Sequence, residues 1–107
     1  MTAPTPVPSD DRLLIHLCLS HSVPFFWRGP GLLLLSRRGL EAILSDLAAE
    51  GIPVVGMEAF ELDGADVHPR LDLIFDADRL PGFPVAHDAV AVWPADVWVD
   101  VTLGAAT

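Results

Sequence analysis

The chain has 107 residues, half of them hydrophobic, and its 15 acidic and 6 basic residues give a formal net charge of −9. This length suits one domain with a single modest core, and the apolar content excludes intrinsic disorder for the body of the chain. Nucleic-acid binding requires a basic surface for the phosphates, so the charge argues against that class of partner. The acid is uneven, because residues 51–107 hold 10 acidic and 2 basic residues, a net charge of −8.

The N-terminus and the cysteine content point to a cytoplasmic protein. The first ten residues lack the basic and apolar regions of a signal peptide, and no apolar run approaches the ~20 residues that a membrane span needs. The single cysteine, Cys18, cannot form an intrachain disulfide, which fits a reducing compartment. We expect Cys18 to be a buried structural residue rather than a nucleophile.

The first part of the chain combines a tail with an ambiguous apolar segment. Residues 1–8 are rich in proline and threonine, which predicts a flexible tail before a single domain at 9–107. Residues 12–20 carry an apolar pattern that fits either a helix or a strand. The capping residue Ser9 and the two aspartates after it favour a short helix.

A short strand is predicted at 25–27, before a Gly-Pro-Gly turn. The apolar run at 32–35 fits either a buried strand or the entry into the next helix. If it is a strand parallel to residues 52–57, the helix between them completes a β–α–β unit with a right-handed crossover.

The strongest helix signal in the sequence lies at 36–50. Ser36 is a capping residue at its start, and Gly51 stands where a helix commonly ends. Arg37 and Glu41 have the spacing of an exposed ion pair. The apolar residues recur at helical spacing on one stripe, formed by Leu40, Ile43, Leu44, Leu47 and Ala48.

Two antiparallel strands are predicted at about 52–62 and 67–76, joined by a tight turn at Asp63-Gly64. Pro69 cannot donate a ladder hydrogen bond, which predicts an edge strand or a bulge near the start of the second strand. Period-two alternation in that strand assigns one face to Leu71, Leu73 and Phe75, and the other to Asp72, Ile74 and Asp76.

A second helix is predicted at 84–93, with an apolar face formed by Val85, Ala89, Val92 and Trp93. Alternating valines predict a final strand at 97–103. Together the elements predict an α+β fold, with a mixed, mostly antiparallel sheet of about four strands covered by two or three helices. The predicted core comprises Leu40, Ile43, Leu44, Leu47, Val54, Leu71, Leu73, Phe75, Val99 and Val101.

The sequence carries no catalytic or metal-binding motif. No two of the four histidines lie four residues apart, and Asp76-Ala77-Asp78 lacks the glycine and the final glutamate of a calcium loop. We therefore predict a protein that is not an enzyme and has no metal or cofactor.

Acidic residues are concentrated in the predicted hairpin, where Arg70 is the only base between positions 58 and 78. They form either a solvated surface that aids solubility or an electrostatic surface for a basic partner. On the second interpretation the charged contacts are Glu58, Glu61, Asp63, Asp66, Asp72 and Asp76. Trp27 and Trp98 are candidate apolar anchors, although core packing is the alternative for Trp27.

Residues 40–64 and 93–100 together resemble a known class of protein. A helix that leads into the strand sequence GIPVVGMEAF, followed by an acidic turn and a further acidic strand, is similar to small bacterial immunity proteins. These are the antitoxin partners of polymorphic and contact-dependent toxins, and the resemblance extends over residues 23–103. It implies a protein that binds a cognate toxin domain and blocks its active site or the entry of its substrate.

Two other functions fit the same residues. One is a small acidic enzyme with an unrecognised carboxylate site. The other is a structural or regulatory domain that forms a homodimer through the strand at 97–103. The sequence leaves the oligomeric state and the identity of the toxin open.

Overall fold

A computed structural model describes residues 9–29, 32–77 and 86–104. The predicted tail at 1–8 lies outside these ranges, as do the turn residues Pro30 and Gly31 and the start of the helix predicted at 84–93. The described chain forms the predicted α+β domain. Its helices are α1 Ser9–His21, α2 Leu40–Ala49 and α3 Ala86–Ala91, and its strands are β1 Phe25–Gly29, β2 Leu32–Ser36, β3 Val54–Asp63, β4 Asp66–Asp76 and β5 Trp98–Leu103.

The five strands form one sheet in the order β1-β2-β5-β3-β4, and all neighbouring strands are antiparallel. Because β5 pairs with both β2 and β3, those two strands run parallel to each other but are separated by β5. The predicted β–α–β unit is therefore split by an antiparallel strand. The position of β5 also makes the proposed dimerisation through 97–103 wrong, because β5 is not an edge strand.

The ambiguous segment at 12–20 is helical, as the capping residues predicted. Leu14 and Cys18 lie one turn apart in α1 and are both buried. At the end of α1, Nε2 of His21 lies 2.6 Å from Oδ2 of Asp46 in α2. This contact and the shared core hold the two helices together.

The helix predicted at 36–50 begins later than expected. A short 3-10 turn, Arg37–Gly39, comes first, and the Ser36 hydroxyl accepts a hydrogen bond from the Arg38 backbone N–H at 3.4 Å. Gly39 is needed there because a Cβ atom would lie 2.5 Å from Cγ2 of Val23.

The end of α2 is where the sequence predicts it. Gly51 has a φ of +70°, and its N–H donates to the carbonyl oxygen of Ala48 at 3.1 Å. The N–H of Ile52 donates to the carbonyl oxygen of Leu47 at 2.9 Å. These two bonds form the Schellman motif that commonly closes a helix at a glycine.

The core lies between the helices and one face of the sheet. Its members from the strands and helices include Leu14, Cys18, Leu33, Leu35, Leu40, Ile43, Leu44, Leu47, Met57, Ala59, Phe75, Val90, Val99 and Val101. Of the predicted core, Val54 and Leu73 are only partly buried, and Leu71 is wrong because it is 78% exposed. Val92, predicted on the buried face of the second helix, is 83% exposed.

A bulge in β4 explains the error at Leu71. Glu58 pairs with Ile74, whereas the next residue of β3, Ala59, pairs with Arg70. Residues 71–73 therefore have no partners in β3, and the period-two alternation does not continue across them. The edge position that Pro69 predicted for this strand is confirmed.

The predicted ion pair between Arg37 and Glu41 forms, but its arginine is not exposed as the sequence predicted. Nη1 of Arg37 lies 2.6 Å from Oε1 of Glu41, while the arginine itself is buried. The backbone N–H of Arg37 donates to the carbonyl oxygen of Val97 at 3.1 Å. This bond joins the backbone of Arg37 to the residue before β5.

Candidate functional site

The predicted acidic hairpin is formed by β3 and β4. Asp63 pairs with Asp66, which leaves Gly64 and Ala65 as the two central residues of the turn. Gly64 has a φ of +60°, the region that a type II′ turn requires at its first central position and that glycine adopts without strain. The turn therefore lies in the interval between the two predicted strands, and its central pair is Gly64-Ala65 rather than Asp63-Gly64.

The tip of this hairpin is bound to the opposite edge of the sheet. Nη2 of Arg28 donates to the carbonyl oxygen of Ala65 at 2.9 Å, although β1 and β4 are the two edge strands. The same guanidinium lies 5.4 Å from the centre of the Phe26 ring, within cation–π range. The hairpin thus curls across the face of the sheet opposite the helices. Leu34 of the intervening strand β2 points to that face by alternation and is fully buried.

The predicted acidic contacts do not share one surface. Met57 and Ala59 face the helices, so alternation places Glu61 on their side and Glu58 on the opposite side. We term this opposite side the open face, because it is exposed at Glu58 although it is covered at Leu34. Asp76 stands opposite Gly56 and also lies on the open face. Asp72 lies in the bulge and shares the guanidinium of Arg70 with Glu61.

Arg70 holds two of the predicted contacts. Its Nη1 donates to Oε1 of Glu61 at 2.7 Å, and its Nη2 and Nε donate to the two oxygens of Asp72 at 2.9 and 3.0 Å. The bonds to Asp72 form a bidentate pair, which lowers the pKa of Asp72 and, with the bond to Glu61, raises the pKa of Arg70. Both carboxylates are therefore already paired within the chain.

Three other predicted contacts are exposed carboxylates without such a partner. Glu58, Asp63 and Asp66 are all exposed, and none forms an ion pair with a cationic side chain of the described residues. These three side chains carry the negative charge that the hairpin can offer to a partner.

Asp100 belongs to this acidic surface, although sequence reasoning did not identify it as a contact. It is half-buried on β5 directly opposite Glu58 of β3. Burial, together with the negative charges of Glu58 and Asp11, raises the pKa of Asp100 to about 6. The sequence shows only a polar residue at an alternate position of the last strand. Its acidic neighbour is set by the pairing of β5 with β3.

A shallow, open depression of about 200 Å³ lies beside this pair. Its lining includes Gly56, Glu58, Ile74, Phe75, Asp76 and Thr102. Gly56 pairs with both Asp76 and Thr102 and has no side chain to fill the space between them. Ile74 borders the depression and is 51% exposed.

The two candidate tryptophan anchors lie on different faces. Trp27 pairs with Leu33 on the helix side of the sheet, is 37% exposed, and donates from Nε1 to Oδ2 of Asp11 at 3.1 Å. Trp98 is half-buried on the open face, between Ser36 and Phe60. One flat partner surface could therefore contact only one of them.

The remaining sites for chemistry are limited. Cys18 is free and buried, and burial raises its pKa to about 11.

In the described ranges, no three histidine, cysteine, aspartate or glutamate side chains come together as a metal site. The helices of that part of the chain also lack the length and apolar character of a membrane span. The residue Asp78, part of the D-x-D triplet, lies outside the description.

Comparisons with known proteins add no family to this geometry. Neither the models of known protein families, nor the curated proteins, nor the solved structures contain a match to the chain. The fold and the surface described above are thus the basis for any statement about function.

Proposed function

We propose that this protein is a cytoplasmic immunity protein, which binds a toxin domain and blocks its active site or the entry of its substrate. The observation that supports this proposal is a set of exposed carboxylates on the β3–β4 hairpin that form no ion pair with the described residues: Glu58, Asp63 and Asp66. They lie in a half of the chain with a net charge of −8. Such a surface complements the basic cleft of a toxin that acts on nucleic acid.

The hairpin is suited to this role because it is held in place. The hydrogen bond from Arg28 fixes the turn, and the pairing with Arg70 orders the side chains of Glu61 and Asp72. A surface that is ordered before binding loses less conformational entropy when the complex forms. The carboxylates of the tip would then occupy the positions that substrate phosphates occupy when the toxin binds its substrate.

An acid–base enzyme is the second candidate function. The observation that favours it is the half-buried Asp100, whose raised pKa and ionisable neighbour Glu58 are features of general acid–base sites. The adjoining depression is shallow and open, so it would exclude little water from a reaction. We therefore place inhibitory binding first.

The experiment that tests the proposal uses the product of the gene directly upstream. We expect that its expression alone arrests the growth of a bacterial host, and that co-expression of this protein restores growth. A soluble, folded preparation of this protein that leaves the arrest unchanged would contradict the proposal. A neighbouring product that does not impair growth would also contradict it.

A further inference from the structure

The open face of the sheet carries an exposed apolar side chain, Ile74, close to two carboxylates that form an acidic rim on one side. The paired positions of β5, β3 and β4 bring Asp100, Glu58 and Ile74 into one row across the strands. The next row contains Thr102, Gly56 and Asp76. We name the residues Gly56, Glu58, Ile74, Asp100 and Thr102 the open-face patch.

The apolar side chain of this patch, Ile74, is exposed beside the depression. Ile74 is half exposed beside the depression over Gly56, and it follows a bulge that lifts residues 71–73 out of the regular ladder. An exposed apolar side chain next to a concave backbone surface fits an apolar side chain from another molecule. Energetically important contacts commonly occupy such pockets, surrounded by polar groups that exclude water.

The charge of the rim selects the kind of partner. Glu58 and Asp100 face each other, and no cation of the described residues lies between them, an arrangement that is unfavourable in the free protein. A lysine or arginine at this point would relieve the repulsion of the two carboxylates. A second copy of this chain would instead bring another net charge of −9 towards the same rim.

We propose that the open-face patch is the docking surface for a segment of a basic partner protein that presents an apolar side chain next to a lysine or arginine. The apolar side chain lies over Gly56 against Ile74, and the cation lies between Glu58 and Asp100. The identification of this partner as a toxin domain rests on the proposed function, whereas the chemistry of the segment rests on the patch itself.

A short peptide tests the chemistry directly. The probe is a capped six-residue peptide of alternating lysine and valine, titrated into the ¹⁵N-labelled full chain and followed by NMR. We expect shifts concentrated at residues 56–58, 74 and 100–102. Peptides of alternating lysine and serine, or of glutamate and valine, should produce much smaller shifts. Equal binding of the lysine–serine peptide would overturn the apolar part of the proposal.

Two variants remove the site in different ways. Ile74→Ser deletes the exposed apolar side chain, and Gly56→Val fills the depression. A Cβ atom at Gly56 would lie in ordinary contact, 3.6 Å from Cβ of Thr102. Valine suits a strand, so we expect Gly56→Val to fold. We expect each variant to bind the lysine–valine peptide about ten-fold more weakly. The matched control is Leu19→Ser, because Leu19 is an exposed apolar residue on α1, 67% exposed, and this variant should bind as the wild type does.

The outcomes separate this inference from the proposed function. If the upstream toxin is neutralised equally well by the wild type, Ile74→Ser and Gly56→Val, the docking surface is wrong and the immunity function stands. If the peptide binds the patch but growth is not restored, the immunity function fails and the docking chemistry stands. Sedimentation that shows a dimer abolished by Ile74→Ser would overturn the proposal in favour of a second copy.

Discussion

At the scale of a single residue, the raised pKa of Asp100 makes the stability of the fold depend on pH. Its ordinary pKa of 3.8 rises to about 6 in the folded protein, so folding favours the protonated carboxyl. The contribution to stability is complete below about pH 4 and is lost as the pH rises towards about 6, because the unfolded chain ionises first. At neutral pH the ionised carboxylate therefore lowers the stability of the fold.

The variant Asp100→Asn should remove this dependence. We expect it to stabilise the protein at pH 7 by about 1 kcal/mol, a value reduced from the full pKa difference because the group is only half-buried. The gain should shrink as the pH is lowered towards 4. Urea unfolding of the variant and the wild type across this range measures the difference. A difference that is independent of pH would show that burial and the charges of Glu58 and Asp11 do not raise the pKa of Asp100.

Cys18 gives a second prediction for a single residue. Its thiol is fully buried and has a raised pKa of about 11, compared with an ordinary value of 9.0. Because the thiolate is the reactive form, labelling by a thiol reagent at pH 8 should be at least about 100-fold slower in the folded protein than in urea. Rapid labelling without denaturant would mean that α1 does not bury this residue against the core.

The elements of the fold differ in how far the sequence determines them. The C-terminal end of α2 follows from a local signal, since Gly51 closes the helix through its own backbone and neighbouring carbonyl groups. The pairing of Glu58 with Asp100, and the separation of β2 from β3 by β5, depend on contacts between distant parts of the chain. Patterns of neighbouring residues do not contain that information, so the open-face patch was not predictable.

The bulge in β4 can be tested by comparing two leucines that the sequence placed together in the core. Leu44 of α2 is 4% exposed, whereas Leu71 is 78% exposed. Leu44→Ala should lower the free energy of unfolding by about 2–5 kcal/mol because it leaves a cavity. Leu71→Ala should change it by less than about 0.5 kcal/mol. Equal losses in denaturant titrations would mean that β4 continues without a bulge.

At the scale of the whole molecule, the arrangement of charge matters more than its total. Arg70 neutralises part of the acid on the hairpin. The exposed carboxylates that form no ion pair with the described residues are divided between the turn, with Asp63 and Asp66, and the open face, with Glu58. The turn can attract a basic partner at long range, while the open-face patch would fix its position at contact. Long-range attraction chiefly affects the rate of association, and buried contacts chiefly affect the rate of dissociation.

This division predicts the effect of neutralising the turn. Asp63→Asn combined with Asp66→Asn should slow association with the toxin and leave dissociation nearly unchanged. The difference from the wild type should decrease as salt is added, because the Debye length falls to ~8 Å at physiological ionic strength. Stopped-flow or surface-based kinetics at several salt concentrations measure both rates.

The control for this prediction is Glu50→Gln combined with Asp88→Asn. Glu50 directly follows α2 and Asp88 lies in α3, and both are exposed. The double substitution changes the net charge by the same two units. If association is steered by the turn, the control variant should retain nearly the wild-type rate. Equal slowing in both variants would mean that only the total charge of −9 matters. Association that is insensitive to salt in all three proteins would show that electrostatic attraction does not drive recognition, and binding would then depend on apolar contacts such as Ile74.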